Sequence, residues 1–226
     1  MQLTQAYVET LVKKAVLIPA MEGVFRDALA QRDFDTAISC CRKYRVDDLV
    51  YGPLSSADLP DAIGYLPRYE MFAELSDFAE DEEYFPLVGR VWVEVEKYAD
   101  PLTTELLFRP QKRDPSLRNL CMNDSERRLS ESLPTQFTVF RGCTRDSAEM
   151  CSWTLDLAVA RHFASIPASV VLANSSDDQT PVVMTGVCDL KDVLAVFTRW
   201  GEAEIVVSPH SLKQKRELWS RVRPTA

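Results

Sequence analysis

At Pro134 the hydrophobic pattern of the chain changes its period, and this change limits the fold more than any other feature of the sequence. Upstream, Leu3, Tyr7, Leu11 and Ala15 recur every four residues, and Val24 with Ala28, then Phe34, Ala37, Ile38 and Cys41, continue as stripes. Such spacing puts apolar side chains on one face of a helix. Downstream come short β-branched or aromatic runs between turn residues: Phe137 to Phe140, Pro181 to Val187, Val193 to Phe197 and Ile205 to Val207. Runs of that kind read as strands. A helical N-terminal half followed by a β-rich C-terminal half is an α+β arrangement.

Within the helical half, the stretch from Thr4 to about Tyr44 reads as a helical hairpin or three-helix element interrupted by Pro19, with Cys40 and Cys41 as small buried side chains. Gly52, Pro53, Pro60, Gly64 and Pro67 punctuate a loop-rich stretch. A helix is expected from about Glu70 to Ala79, and the acidic run ending at Glu83 reads as its solvated end. Pro86 suits the first position of a further helix, because Leu87, Val91 and Val95 keep i+4 spacing, although Val91, Val93 and Val95 also alternate as a strand would. Helices follow at Pro101 to Phe108 and Ser125 to about Ser132, the second introduced by Asn123 and Glu126 at capping-box spacing.

One helix interrupts the strands. Thr154 is placed to cap it, Asp156 to complement the dipole in its first turn, and Val159 with Phe163 and Ala160 with Ala164 to form its buried face. From Lys213 to Arg223 the chain reads as a basic tail.

With 226 residues, 46% hydrophobic and 27% charged, the chain has the composition of an ordinary globular protein. Its net charge of −8 disfavours a broad grip on nucleic acid, since phosphate binding needs clustered Lys and Arg. The six cysteines include no C-x-x-C pair and there are two histidines, His162 and His210, so no metal is expected. The start lacks a basic n-region, and the apolar stretch from Ala15 to Met21 is too short for a signal core or a membrane span. A cytoplasmic protein with reduced thiols and no membrane association is expected.

Three local patterns in the second half carry chemistry. Phe140-Arg141-Gly142 closes the first predicted strand, Ser152-Trp153-Thr154 stands ahead of the helix, and Glu202-Ala203-Glu204 enters the last strand. Taken singly, these are an Arg at a strand end, a helix cap and a pair of carboxylates. The pair is the least ordinary of the three, because period-two alternation would set two like charges on one side of a strand.

In that order and context, the patterns resemble the R-S-E class of mono-ADP-ribosyltransferases. In that class an Arg ends the first core strand, a Ser-x-Ser/Thr segment opens the second, and a Glu-x-Glu or Gln-x-Glu pair lies at the edge of a later one. The match runs from about Thr135 to Ser208, and Ser-Trp-Thr stands here where many members have Ser-Thr-Ser. The resemblance implies an N-terminal helical extension over 1–46 and a transferase domain over 47–226. Within that domain it implies a helical lobe at about 47–134, a β-rich core at about 135–208 and a basic tail at 209–226.

It also implies a reaction, with NAD⁺ as substrate and no metal. Glu204 would stabilise the positive charge that develops on the ribose as nicotinamide leaves, as in glycoside hydrolysis. Arg141, next to Gly142, would hold the pyrophosphate or adjoining ribose, for which a planar guanidinium suits better than an ammonium. Ser152 and Thr154 would bond the nicotinamide-ribose half and brace the acid, with Trp153 packed beneath. Glu202 would orient and deprotonate an acceptor arginine. The class has phage and bacterial-toxin members, so the acceptor expected is a protein of a bacterial host, with nucleic acid disfavoured. Hydrolysis of NAD⁺ and an inactive interaction module are the competing expectations.

Overall fold

The computed structural model describes residues 3–15, 21–41, 68–92, 101–166, 178–198 and 201–220. They belong to two compact units, Met1–Val95 and Glu96–Ala226. Pro19, the loop-rich stretch from Gly52 to Pro67, and Val93 and Val95 lie outside the described residues.

The described part of the first unit is helical. Helices α1 (Gln5–Lys14), α2 (Glu22–Gln31), α3 (Phe34–Cys40), α4 (Arg68–Ser76) and α5 (Asp81–Trp92) bury Leu11, Phe25, Ile38, Met71, Leu75 and Phe85. The Thr4 side chain caps α1 by accepting from the Tyr7 amide, and Asp33 caps α3 by accepting from the Thr36 amide. Between α2 and α3, Arg32 takes a left-handed conformation at φ 59°. Its guanidinium is anchored there by the Phe78 carbonyl at 2.9 Å and the Glu83 carboxylate at 3.1 Å.

One expectation changes in this unit. Helix α5 begins five residues before Pro86, which lies inside it. Asp81, Glu82 and Glu83 therefore form its first turn, where acidic groups complement the dipole, and Glu83 reaches back to accept from the Glu80 amide at 2.8 Å. Proline removes one intrahelical donor, and burial of Tyr84, Phe85, Leu87, Val88, Val91 and Trp92 outweighs that loss. Within the unit α4 packs on α3 and α5 on α4.

The second unit opens with α6 (Pro101–Phe108), a 3₁₀ turn at Pro115–Cys121 and α7 (Asp124–Ser132). A full capping box starts α7: Asn123 accepts from the Ser125 and Glu126 amides, and Glu126 accepts from the Asn123 amide. Then follow β1 (Gln136–Thr144), β2 (Ser152–Thr154), α8 (Leu157–Ser165), β3 (Pro181–Asp189), β4 (Val193–Phe197), β5 (Glu204–Val207) and β6 (Lys213–Ser220). They make one antiparallel sheet in the order β4-β5-β2-β1-β3-β6. Mixed helix and antiparallel sheet is the expected α+β composition.

Three local differences follow from this sheet. The segment from Lys213 to Ser220, expected to be a basic tail, is an edge strand on β3. Its charged side chains are the kind that discourage further strand pairing at an edge. Secondly, β1 runs on through Arg141 and Gly142 to Thr144, because its pairing with β3 continues from Gln136 opposite Asp189 to Thr144 opposite Pro181. Thirdly, the cap of α8 is Asp156, which accepts from the Ala158 amide at 2.6 Å, while Thr154 belongs to β2.

The buried face of α8 is also narrower than its apolar pattern suggests. Ala160 and Ala164 form a buried cluster with Val183, with Phe140 and Leu157 packed around it, whereas Phe163 is 41% exposed. Gly142 explains the choice of alanines: a Cβ there would lie 1.6 Å from the Ala160 carbonyl oxygen. Helix and strand approach closely enough that only the smallest side chains fit between them.

Candidate functional site

The short strand β2 gathers the candidate site between its two neighbouring strands. It pairs with β1 on one side, Phe140 opposite Thr154, and with β5 on the other, Ser152 opposite Val206 and Thr154 opposite Glu204. Ser152 and Glu204 are thus diagonal neighbours, displaced by two residues on a common face. The Ser152 hydroxyl donates to Glu204 Oε1 at 2.6 Å. Both residues are half-buried, so the carboxylate is held by protein and still reached from outside.

Arg141 approaches β2 from the other strand. Its Nη1 donates to the Ser152 carbonyl at 2.6 Å and its Nε to the Ser147 carbonyl at 3.1 Å. The guanidinium therefore spans the turn between β1 and β2 and fixes the backbone of the residue whose hydroxyl holds Glu204. A guanidinium has five N–H donors in a planar fork, so bonding two carbonyls leaves donor capacity in the same plane.

The turn itself is closed by polar contacts. Ser147 Oγ donates to the Thr144 carbonyl at 3.0 Å, and Arg145 pairs with Asp178 and Glu217 at 3.1 Å each. Cys143 lies beside this turn, and burial pushes its thiol above the ordinary value despite the opposing pull of Arg141. A raised thiol holds little thiolate at neutral pH, which disfavours Cys143 as a nucleophile.

The other sequence candidates have more local partners. Trp153 is 2% exposed, and its indole nitrogen donates to the Met150 carbonyl at 3.0 Å. Thr154 is 5% exposed, and its hydroxyl oxygen accepts from the Asp156 amide at 3.1 Å, tying the end of β2 to the cap of α8. Gly142 admits the backbone of α8. Trp153, Thr154 and Gly142 thus hold the surroundings of Arg141, Ser152 and Glu204 in place.

Glu202 stands apart from the strand. Strand β5 starts at Glu204 and is the fifth of six, so Glu202 lies in the preceding bend, after Gly201 at φ 78°. Period-two alternation therefore does not fix its direction. The segment is anchored between the two acids, where the Leu155 amide donates to the Ala203 carbonyl at 3.2 Å.

Among the described residues no group of three or more His, Cys, Asp and Glu side chains is arranged to hold a metal ion, and no helix is long and apolar enough to cross a membrane. Comparison with protein-family models, curated proteins and solved structures gave no match.

Two contributors escaped the sequence reading. The Ser147 carbonyl, a backbone acceptor, has no sequence signal at all. Glu126 was legible only as a capping residue, yet it is fully buried and its Oε1 accepts from the Thr198 amide at 3.0 Å.

Proposed function

We propose that this chain is a mono-ADP-ribosyltransferase that cleaves NAD⁺ at the nicotinamide glycosidic bond and transfers ADP-ribose to an arginine of an acceptor protein. The observation that carries the reading is the 2.6 Å hydrogen bond from Ser152 to Glu204, with Arg141 bound to the carbonyl of the same serine. Arg141, Ser152 and Glu204 lie on three adjacent strands and are linked through Ser152, and their chain order is that of the R-S-E class. Such a carboxylate, oriented in advance by a hydroxyl, suits a reaction whose transition state places positive charge on a ribose ring.

As the bond from the ribose C1′ to the nicotinamide nitrogen breaks, its electron pair leaves with nicotinamide, which becomes neutral. Glu204 faces the cationic ribose, and Ser152 keeps the carboxylate from rotating away. Arg141 uses its remaining donors on the pyrophosphate or adjoining ribose. A guanidinium nitrogen of the acceptor attacks C1′ and loses its proton to Glu202. An acceptor in a bacterial host accords with the phage and toxin members of the class.

The test is incubation of the purified chain with labelled NAD⁺ and a bacterial lysate, followed by mass spectrometry of modified residues and assay of free ADP-ribose. Label on arginine that is lost in Glu204→Gln supports the reading. Release of free ADP-ribose with no labelled protein assigns the chain to NAD⁺ hydrolysis, and absence of both products rejects the proposal.

A further inference from the structure

A buried carboxyl group is costly unless its oxygens are matched by donors, so Glu126 requires an explanation beyond helix capping. It is 0% exposed, in a first helical turn where a capping glutamate ordinarily meets water. Its two oxygens act in opposite directions along the chain. Oε2 accepts from the Asn123 amide at 2.8 Å, closing the box of α7, and Oε1 accepts from the Thr198 amide at 3.0 Å, 72 residues away.

Thr198 directly follows β4, and its carbonyl accepts from the Gly201 amide at 3.1 Å. Gly201, in the left-handed region that favours glycine, leads into Glu202, Ala203 and Glu204. Gly201 is therefore tied to Glu126 through Thr198, and Ala203 is held by the Leu155 amide on its carbonyl. Two neighbouring contacts keep β4 against the same helical layer: the Val196 amide donates to Met122 Sδ at 3.2 Å, and the Phe108 and Phe197 rings lie 6.5 Å apart.

We propose that Glu126 is a positioning residue: resting on the transferase reading, it sets, through Thr198 and Gly201, the segment that delivers Glu202 and Glu204 to the reacting ribose and acceptor. It touches neither of them. A displacement of about 1 Å in a catalytic group can cost on the order of a hundredfold in rate, and a carboxyl group fixed at both oxygens prevents it.

The substitution Glu126→Gln preserves shape but turns one acceptor oxygen into a donor that faces an N–H. In the full-length chain it should lower kcat for NAD⁺ cleavage by roughly tenfold or more while leaving KM within about twofold. It should also speed hydrogen exchange at the Thr198 amide. Glu126→Asp, one methylene short of bridging both amides, serves as the second variant and should behave alike. Asn123→Ala is the control: it removes the side-chain cap of α7 and keeps the backbone amide that Glu126 uses, so it should lower the melting temperature without lowering kcat. Wild-type kcat in both Glu126 variants overturns the proposal, as does an equal loss of kcat in Asn123→Ala, which would reduce Glu126 to helix stability. If the wild-type chain itself leaves NAD⁺ intact, the transferase reading fails and this role fails with it. Activity in the wild type with indifference at Glu126 fails the positioning role alone.

Discussion

Ser152 and Glu204, 52 residues apart in the chain, are joined side chain to side chain by a 2.6 Å hydrogen bond across adjacent strands. If the carboxylate stabilises a ribose cation, Glu204→Gln should lower NAD⁺ turnover by roughly a hundredfold or more with little change in fold. Ser152→Ala removes only the orienting contact and should cost about tenfold, the scale of one charge-assisted hydrogen bond. Steady-state assays of nicotinamide release read both, and a fully active Glu204→Gln protein rejects the reaction outright.

Arg141 is bound to two backbone carbonyls, so its loss should show in both stability and binding. Arg141→Ala leaves the Ser147 and Ser152 carbonyls without that donor, a cost of about 1–2 kcal/mol in denaturant unfolding. NAD⁺ affinity by calorimetry should drop by roughly tenfold or more, and Arg141→Lys should recover part of it, since an ammonium cannot reproduce the planar fork. Lost stability with unchanged affinity in both variants would make Arg141 a brace for the turn alone.

What the sequence made legible follows the physical strength of each signal. Strand β4, from Val193 to Phe197, is buried along its whole length and is an uninterrupted apolar run; its limits were read residue for residue. The capping box at Asn123 and Glu126 was equally plain, because it is local and set by residue type. Strand β6 was missed because an edge strand facing solvent has no apolar period to reveal it, and Leu218 and Trp219 remain 45% and 46% exposed. The candidate site was readable as three separated tripeptides, whereas Ser147 acts through a backbone carbonyl, which residue type does not reveal, and Glu126 reaches an amide 72 residues away. Thr154 was assigned the cap of α8 because Thr and Asp are both good N-caps, and β2 ends only two residues before Asp156 takes that place.

Gly142 offers a test of packing independent of the reaction. A methyl group there would meet the Ala160 carbonyl oxygen at 1.6 Å and the Ala164 amide nitrogen at 2.7 Å, both backbone atoms that no rotamer change can move. Gly142→Ala should therefore destabilise the protein by about 3 kcal/mol, near the upper end for overpacking, as α8 is forced off the sheet. Thermal unfolding checks it, and a loss below about 0.5 kcal/mol would contradict the close approach of helix and strand.

In the first unit, the Tyr7 hydroxyl donates to Glu74 at 2.5 Å. Burial, followed by this bond and the charges of Glu74 and Asp77, pushes the phenol from 10.0 up to about 12. Below pH 10 both folded and unfolded chains keep the proton, so the contribution is fully present. Between pH 10 and about 12 the unfolded chain gives up its proton first, and the contribution is lost as pH rises through the folded value. The stability difference between wild type and Tyr7→Phe should therefore be flat below that window and shrink across it. Denaturant unfolding at a series of alkaline pH values decides the point, and a difference that grows with pH would contradict the assignment.

On the transferase reading proposed above, Glu202 should separate transfer from hydrolysis. It lies in the bend before β5, while Glu204 begins the strand, and the Ala203 carbonyl between them is fixed by the Leu155 amide. The two carboxylates are thus set by different constraints and can serve different partners. Loss of Glu204 should stop every route of NAD⁺ cleavage, because each passes through the same ribose cation. Loss of Glu202 should stop only the route that needs a guanidinium oriented and deprotonated. Glu202→Gln should abolish arginine labelling while nicotinamide and free ADP-ribose are still released, and Glu202→Asp should recover little because the shorter side chain misplaces the carboxylate. Equal loss of labelling and hydrolysis would merge the two roles into one. Undiminished labelling at arginine would leave Glu202 without a part in the reaction.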